Sequence, residues 1–424
     1  MYFILQDVII YNYIKNIKDG CFAIKKSKSI SKNRHNIKKY AVNEAIENNM
    51  SEKILLSSPH MSDEGYELEY INDAFKKNWI APLGENVTEF EKAIAKFTGA
   101  ENAVALSAGT AALHMAMILA GVQPGDEVFC QSLTFSASAN PVKYLGANPV
   151  FIDSEYETWN MDPDALRKAF ETHKKPKAVV AVHLYGNPAK LDEIMSICDE
   201  HGAVLIEDAA EALGSVYKGK ECGTFGKFGA LSFNGNKIIT TSGGGMLLCK
   251  EKEAAEHALK LATQAREPAP WYQHEEIGYN YRMSNICAGI GRGQAKVLQK
   301  RVEQKRAIFE RYSERLKGIP AQMQTQLDCA ESNRWLSVLL LEEGCGVTPA
   351  NVLEGLAKEN IEGRYIWKPM NMQPVFAAND FVSVHEHAVC NDLFSLGVCL
   401  PSDTKMSMED VDRVCEIIRG MFEK

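Results

Sequence analysis

The stretch AVLIEDAAEALGS, residues 203–215, indicates the fold, because a short apolar run ends in two acids and leads into a helix-like segment. Six further apolar runs lie along the chain: NAVALS (102–107), DEVFCQS (126–132), NPVFID (148–153), KAVVAVHLY (177–185), ALSFN (230–234) and GGMLLCK (244–250). Strands that are apolar on both faces and are joined by helices form mostly parallel sheets covered on both sides. The sequence therefore predicts an α/β fold with a mostly parallel, seven-stranded sheet.

Helical patterns separate and follow these strands. They cover residues 110–121, 136–145, 163–171, 191–201, 295–316, 349–360 and 406–422, and a strand-like run lies at 334–341. The glycine-rich run at 289–293 follows no predicted strand, so it does not indicate a dinucleotide site. We place a large α/β domain at residues 50–300 and a smaller α+β domain at residues 301–424.

The composition is that of a globular protein, with 424 residues, 46% hydrophobic and 24% charged. A formal net charge of −8 argues against nucleic acid as a partner. Eleven cysteines without a C-x-x-C pair indicate a reduced, cytoplasmic protein without a structural zinc site. Residues 1–49 carry nine Lys+Arg against four Asp+Glu, and their apolar start is too short for a membrane span. We expect this extra N-terminal segment to lie outside the fold.

Three features follow predicted strands, at the edge where open α/β sheets bind ligands. The small residues 108–111 lead into a predicted helix, and the free N–H groups at the start of that helix suit a phosphate. The alternative is that these small residues only form a tight turn between strand and helix. Asp208 is either a helix cap or a carboxylate that awaits a cation. Lys237 has apolar neighbours in the sequence. Either its side chain extends past them to solvent, or its amine is desolvated and available for covalent chemistry with a carbonyl group.

Together these features predict a site for pyridoxal 5′-phosphate. The cofactor's phosphate needs an anchor, which the turn at 108–111 offers. Its ring nitrogen needs a carboxylate to stay protonated, and its aldehyde needs an amine. Asp208 and Lys237 supply those two groups in the expected order along one sheet.

Seven stretches carry a resemblance to a known family: NWIAPLGENV (78–87), SAGTAALHMA (107–116), HLYGNP (183–188), EDAAEALGS (207–215), SFNGNKIITTSGGGM (232–246), GYNYRMSN (278–285) and YIWKPMNMQPVF (365–376). The chain resembles the DegT-type nucleotide-sugar aminotransferases, and the resemblance covers essentially residues 50–424. The resemblance implies the type I aminotransferase fold. It also implies an enzyme whose cofactor cycles between pyridoxal and pyridoxamine 5′-phosphate.

The resemblance implies that Lys237 is the catalytic lysine, which binds the cofactor aldehyde and shuttles a proton. It implies these further cofactor contacts: Thr110, Ala111 and Ser232 at the phosphate, Phe135 on the ring, Asp208 at the ring nitrogen, Glu211 at the ring hydroxyl, and Asn280 at the phosphate of another subunit's cofactor. Glu211 departs from the Gln or His that the family often has there, and the alternative for Phe135 is a core position. The role of Asn280 implies a homodimer with shared sites.

The stretch 365–376 is similar to family members that act on UDP-2-acetamido-4-keto-2,4,6-trideoxyhexose in bacillosamine-type pathways. The resemblance thus implies amino transfer, usually from glutamate, to C4 of a nucleotide-linked 4-keto-6-deoxy sugar. Arg364, Trp367 and Lys368 are candidate substrate contacts, although Trp367 could instead be core and the charges surface. The alternatives are a GDP- or dTDP-linked sugar, a non-catalytic regulatory protein, and a metal enzyme. His385 and His387 have no nearby ligand set in the sequence, so we predict no metal.

Overall fold

The computed structural model describes residues 52–423. The N-terminal segment 1–49, which we expect to lie outside the fold, falls outside the described residues. Within the part of the chain that is described, no helix combines the length and the apolar character that crossing a membrane requires.

The central sheet has eight strands in the order β1-β9-β8-β5-β4-β2-β3-β14. Their bounds are β1 (Asn102–Leu106), β2 (Glu127–Gln131), β3 (Asn148–Ile152), β4 (Ala178–Val182), β5 (Val204–Asp208), β8 (Phe228–Ser232), β9 (Gly245–Cys249) and β14 (Phe381–Val382). β9 runs antiparallel to the rest of this sheet, because both β1 and β8 pair with it antiparallel, and the other pairs are parallel. The α/β fold and all seven predicted strands are confirmed, and the two-residue β14 adds an eighth at the edge of β3.

Helices surround this sheet, and their ends follow local capping chemistry. Their bounds are α1 (Tyr66–Lys76), α2 (Glu85–Thr98), α3 (Gly109–Leu119), α4 (Asn140–Tyr144), α5 (Pro163–Thr172), α6 (Leu191–His201) and α7 (Lys252–Ala262). The Asp162 carboxylate accepts from the N–H of Asp164 at the start of α5, directly before Pro163. Gly202 ends α6 at φ 61°, a left-handed conformation that glycine adopts without strain.

A second, four-stranded sheet forms from the C-terminal part of the chain, in the order β10-β12-β15-β13. Its strands are β10 (Ala321–Met323), β12 (Ser337–Leu341), β13 (Arg364–Tyr365) and β15 (Gly397–Leu400). The neighbouring helices are α9 (Pro349–Lys358), α10 (Val389–Leu396) and α11 (Met408–Arg419). A small third sheet joins β6 (Val216–Tyr217), β7 (Lys220–Glu221) and β11 (Ala330–Glu331). The predicted strand at 334–341 thus forms as β12, and it pairs antiparallel with β15.

The long helix α8 spans Asn285–Arg315 and begins ten residues before its predicted start. Its first turns contain three glycines that pack closely against α1 and α2. A Cβ on Gly291 would lie 2.7 Å from the Phe90 ring, and one on Gly293 would lie 2.6 Å from the backbone nitrogen of Glu67. These glycines therefore permit close helix packing, a reason that helical periodicity alone does not reveal.

Replacing Gly293 with alanine should lower the free energy of unfolding by about 2 kcal/mol. The added methyl group meets the backbone of Glu67, which has to move, and this cost exceeds the gain of about 1 kcal/mol in helix propensity. Urea unfolding of the full chain measures the change. Gly420→Ala is the control, because a Cβ there would be 3.4 Å from its nearest atom. Equal stability of the Gly293 variant and wild type would contradict this account of the packing.

Candidate active site

A pocket of about 410 Å³ opens where the strands of the central sheet end. Val182, Asp208 and Ser232, the last residues of β4, β5 and β8, all line it. Neighbouring parallel strands bring their carboxyl ends to one edge, which is why side chains distant in sequence meet here. The pocket therefore lies where the sequence predicts a ligand site.

Lys237 lies in the loop after β8, with its side chain only 12% exposed. Its N–H donates to the carbonyl of Asn234 at 3.0 Å, which closes a turn that directs the side chain into the pocket. The Nζ amine lies 3.1 Å from Oε1 of Glu211 and 4.1 Å from the centroid of the Trp335 ring. The amine is thus held between a carboxylate and an aromatic face.

Asp208 is buried at the end of β5 and accepts two hydrogen bonds. The Ser138 hydroxyl donates to Oδ2 at 2.6 Å, and the N–H of Ala210 donates to Oδ1 at 3.2 Å. No ion pair within residues 52–423 joins Asp208 to a cation, and burial raises the pKa of this carboxyl above its ordinary value. A cation placed in the pocket would meet this acid at little further cost in desolvation.

Glu207 precedes Asp208 but takes no part in the pocket. Its carboxylate lies 2.9 Å from Nε2 of His183 and accepts from the N–H groups of Gly223, Phe225 and Gly226. Successive strand residues face opposite sides, so only one of the two acids reaches the ligand edge. The pKa of Glu207 is lowered because hydrogen bonds to His183 and these N–H groups outweigh the opposing effect of burial. Glu207 therefore has a structural role.

Glu211 is the second buried acid of the pocket. Oε2 accepts from the N–H of Tyr185 at 2.8 Å, while Oε1 faces the Lys237 amine. Burial raises the pKa of Glu211 to about 7, against the opposing effect of Lys237. Glu211 can therefore change protonation state near neutral pH.

Helix α3 points its N-terminus at the pocket. Gly109 and Thr110 line the pocket, no side chain caps the helix, and intrahelical bonding starts at the N–H of Ala112. The N–H groups of its first residues, Ala111 included, are therefore available to an anion. A Cβ on Gly109 would lie 2.9 Å from Cβ of Ser232, so the glycine lets the helix approach that side chain.

Phe135 is 57% exposed, which excludes a core position for it. Its ring centroid lies 5.6 Å from that of Trp367, which is half-buried and also contacts the Tyr185 ring at 5.2 Å. Both Phe135 and Trp367 line the pocket. The pocket therefore has an aromatic wall on the side of the residues predicted to contact substrate.

Some of the remaining predicted site residues lie outside the pocket. Arg364 lines the pocket and pairs with Glu362 at 2.7 Å, whereas Lys368 is exposed and lies outside the lining. Asn280 is exposed and bridges to Thr263, also outside the lining. His385 pairs with Asp162 at 3.0 Å rather than with Asp208. Within residues 52–423, no group of three or more ligating side chains could hold a metal ion.

Sequence reasoning missed Trp335 and Ser138. Ser138 lies three residues after Phe135, but nothing local shows that its hydroxyl reaches Asp208 at the end of β5. Trp335 lies at the start of the predicted strand at 334–341, where it resembles one more apolar strand residue. The one signal for Trp335 in the sequence was the residue type itself, because a buried indole N–H usually needs a hydrogen-bond partner.

Comparison with known proteins places this geometry in a family. Residues 62–419 match the model of the DegT/DnrJ/EryC1/StrS aminotransferase family. The chain is 53% identical over 380 residues to the Bacillus subtilis protein named "Putative pyridoxal phosphate-dependent aminotransferase EpsN", covering 88% of this chain and 97% of that one. It is 35% identical over 360 residues to GDP-perosamine synthase of Escherichia coli O157:H7, covering 84% and 96%.

A solved structure shows the same fold. The sugar aminotransferase Spr1654 of Streptococcus pneumoniae, described by its solvers as putative and solved in pyridoxal and pyridoxamine phosphate forms, gives a TM-score of 0.81. It is 25% identical to this chain, and the pyridoxal phosphate form covers 88% of this chain and 99% of its own. The chain belongs to the DegT/DnrJ/EryC1/StrS aminotransferase family.

Proposed function

We propose that this enzyme, a sugar aminotransferase, uses pyridoxal 5′-phosphate to move an amino group from an amino acid to C4 of a nucleotide-linked 4-keto-6-deoxy sugar. The observation that carries this proposal is one pocket that holds the Lys237 amine, the buried Asp208 carboxylate and the uncapped start of α3.

The residues of the pocket fit the cofactor. Asp208 is a buried acid without an ion-pair partner in the described chain, which suits a protonated ring nitrogen. The start of α3 and the Ser232 hydroxyl suit a phosphate, and the exposed face of Phe135 suits a planar ring. When bound, pyridoxal 5′-phosphate supplies an electron sink for the carbon that loses or gains the amino group.

Each residue then has a distinct task. Lys237 would hold the cofactor through its aldehyde group and, as a free amine, would carry a proton between two carbons of the bound substrate and cofactor. Asp208 keeps its negative charge against the ring nitrogen. Phe135 and Trp367 would form the aromatic wall on one side of the bound cofactor and substrate. The same residues run the second half of the reaction in reverse, when the keto sugar accepts the amino group.

Glu211 suits this site because of its protonation behaviour. An ionised carboxylate next to the ring hydroxyl would repel a negatively charged oxygen there. Since the pKa of Glu211 is raised to about 7, a neutral carboxyl is accessible and can donate a hydrogen bond to that oxygen. The departure from Gln or His is therefore compatible with the proposed contact.

Replacing Glu211 with glutamine should change how stability depends on pH. The folded carboxyl keeps its proton up to about pH 7, whereas the ordinary pKa is 4.5, so wild type loses stability as pH rises through this interval. Glutamine does not titrate, so the stability of the variant relative to wild type should rise by about 3 kcal/mol from pH 4.5 to 7.5. Urea unfolding of cofactor-free protein at several pH values measures this.

Glu200→Gln, at an exposed position of α6, is the control for that experiment and should leave the pH dependence unchanged. If the difference between Glu211→Gln and wild type were constant with pH, Glu211 would not hold its proton in the folded state as inferred.

For the substrate, we infer a UDP-linked 2-acetamido-4-keto-2,4,6-trideoxyhexose and glutamate as the amino donor. Arg364 and Trp367 line the pocket, so a diphosphate can meet the guanidinium and a sugar or base can meet the indole. Lys368 lies outside the lining and would contact only parts of the nucleotide that extend from the pocket. A GDP-linked 4-keto-6-deoxy sugar is the second candidate, favoured by the 35% identity to a GDP-perosamine synthase.

Mass spectrometry of reaction products tests the proposal. The enzyme is incubated with glutamate and, in separate reactions, the UDP-, GDP- and dTDP-linked 4-keto-6-deoxy sugars. We expect replacement of the keto oxygen by an amino group in the UDP sugar, together with release of 2-oxoglutarate. Amination of the GDP sugar alone would overturn the substrate assignment. No amination of any sugar would overturn the proposed function.

We further propose that the enzyme works in the cytoplasm as a homodimer with shared sites. Exposed apolar side chains occur in two segments: Trp79, Ile80 and Leu83 in one, Trp271, Tyr272 and Ile277 in the other. Exposed apolar patches of this kind mark protein interfaces. Asn280, exposed next to the second segment, would then be free to reach the phosphate in the partner's pocket.

A further inference from the structure

We propose that Trp335 is a positioning residue for Lys237, holding this lysine at both ends. The indole Nε1 donates to the carbonyl oxygen of Asn236, the residue before Lys237, at 2.7 Å. The ring face of the same indole lies 4.1 Å from the Lys237 amine. The inference rests on the proposed role of Lys237 and adds a residue to which neither the sequence motifs nor that proposal gives a task.

Trp335 is itself fixed relative to Glu211, the other partner of the amine. The side-chain oxygen of Asn333 accepts from the N–H of Trp335 at 2.9 Å, and its amide nitrogen donates to the carbonyl of Glu211 at 2.8 Å. Trp335 is only 2% exposed and Asn333 is fully buried. The Asn333 side chain thus sets the spacing between the Trp335 indole and the Glu211 carboxylate, which flank the Lys237 amine.

A second contact stabilises the same carbonyl. The Ser57 hydroxyl also donates to the carbonyl oxygen of Asn236, at 3.0 Å, and the buried Lys305 amine lies 3.1 Å from that hydroxyl. The carbonyl before Lys237 therefore accepts hydrogen bonds both from Ser57, near the start of the described chain, and from Trp335, two residues before β12. Trp335 alone among these residues also touches the amine.

This arrangement limits where the amine can go. Lysine has a flexible four-carbon stem, so fixing only its backbone leaves Nζ with many positions. The indole adds a cation–π contact that favours the position next to Glu211 and covers one side of the amine. Because misplacing a reacting group by about 1 Å can cost about 10²-fold in rate, such positioning has a measurable effect.

Three variants of the full chain separate the two contacts from ordinary packing. Trp335→Phe keeps an aromatic face and loses the indole N–H, whereas Trp335→Leu loses both. Trp159→Phe is the matched control, because Trp159 is equally buried in the same hydrophobic core cluster as Trp335 but does not line the pocket. Circular dichroism confirms folding for each variant.

Acetylation of cofactor-free protein by acetic anhydride gives a readout that does not depend on activity. The rate at Lys237, relative to the exposed Lys252, is followed by peptide mass spectrometry. We expect it to rise about tenfold in Trp335→Leu and about threefold in Trp335→Phe, since the ring no longer covers or holds the amine as well. The control should stay within about twofold of wild type. In the holoenzyme, kcat should fall about 10²-fold in Trp335→Leu and less in Trp335→Phe, with smaller changes in KM.

An unchanged acetylation rate at Lys237 in Trp335→Leu would overturn the inference, as would an equal rise in Trp159→Phe. If Trp335→Leu did not fold, the contrast between Trp335→Phe and Trp159→Phe would decide. The test is separate from that of the proposed function. A wild-type enzyme that aminates no sugar overturns the function, whereas an active wild type with unaltered acetylation in the variants overturns only the role of Trp335.

Discussion

Replacement of Lys237 by alanine should reduce sugar amination by about 10⁴-fold or more, the largest effect expected in this protein. The amine is one of two basic groups that line the pocket within the described chain, and the other is the guanidinium of Arg364, which stays protonated and cannot replace it. Alanine can neither bind the cofactor aldehyde nor carry a proton. Product formation by mass spectrometry, with kcat from 2-oxoglutarate release, measures the loss.

The control for this variant is Lys252→Ala on α7, whose side chain is 76% exposed and remote from the pocket. It should retain wild-type activity. The alanine variant at 237 should stay folded, because Glu211 left without the amine can take up a proton; burial already raises its pKa to about 7. Activity of Lys237→Ala within tenfold of wild type would remove this lysine from the mechanism.

Much of the fold follows from patterns that the sequence displays. Each of the seven apolar runs contains a strand because it is largely buried on both faces. Helix α6 ends at its predicted residue because Gly202 stops it. The shared ligand edge follows from the rule that parallel strands bring their carboxyl ends together. Lys237 and Asp208 could therefore be placed in one site before any coordinates were known.

Other features depend on contacts between distant segments and leave no local pattern. Gly291 and Gly293 look like interruptions of a helix until Phe90 and Glu67 pack against them. Trp335 looks like a strand residue until the loop of Asn236 approaches its indole N–H. The strand β14 is two residues long, too short for any periodicity, and forms only because β3 offers an unpaired edge.

Asp208→Asn should lower kcat by about 10³-fold and yet leave the cofactor-free protein as stable as wild type or more so. The activity falls because asparagine cannot supply the negative charge that keeps the ring nitrogen protonated, a loss of about 3–4 kcal/mol of electrostatic stabilisation. The stability does not fall because burial raises the pKa of Asp208, which means that its charge destabilises the empty site. Steady-state kinetics and urea unfolding at pH 7 measure the two quantities.

Replacing the adjacent acid, Glu207, should have the opposite effects on stability and activity, and this variant completes the test. Glu207→Gln should lower the free energy of unfolding by about 3 kcal/mol, because it removes a buried charge that is paired with His183 and bonded by three N–H groups. It should change the kcat of folded protein little, since Glu207 does not line the pocket. If both variants lost stability and activity together, the division between a structural and a catalytic acid on β5 would be wrong. If instead Asp208→Asn loses only activity and Glu207→Gln loses only stability, then the Asp208 charge, which destabilises the cofactor-free protein, is present because the reaction requires it.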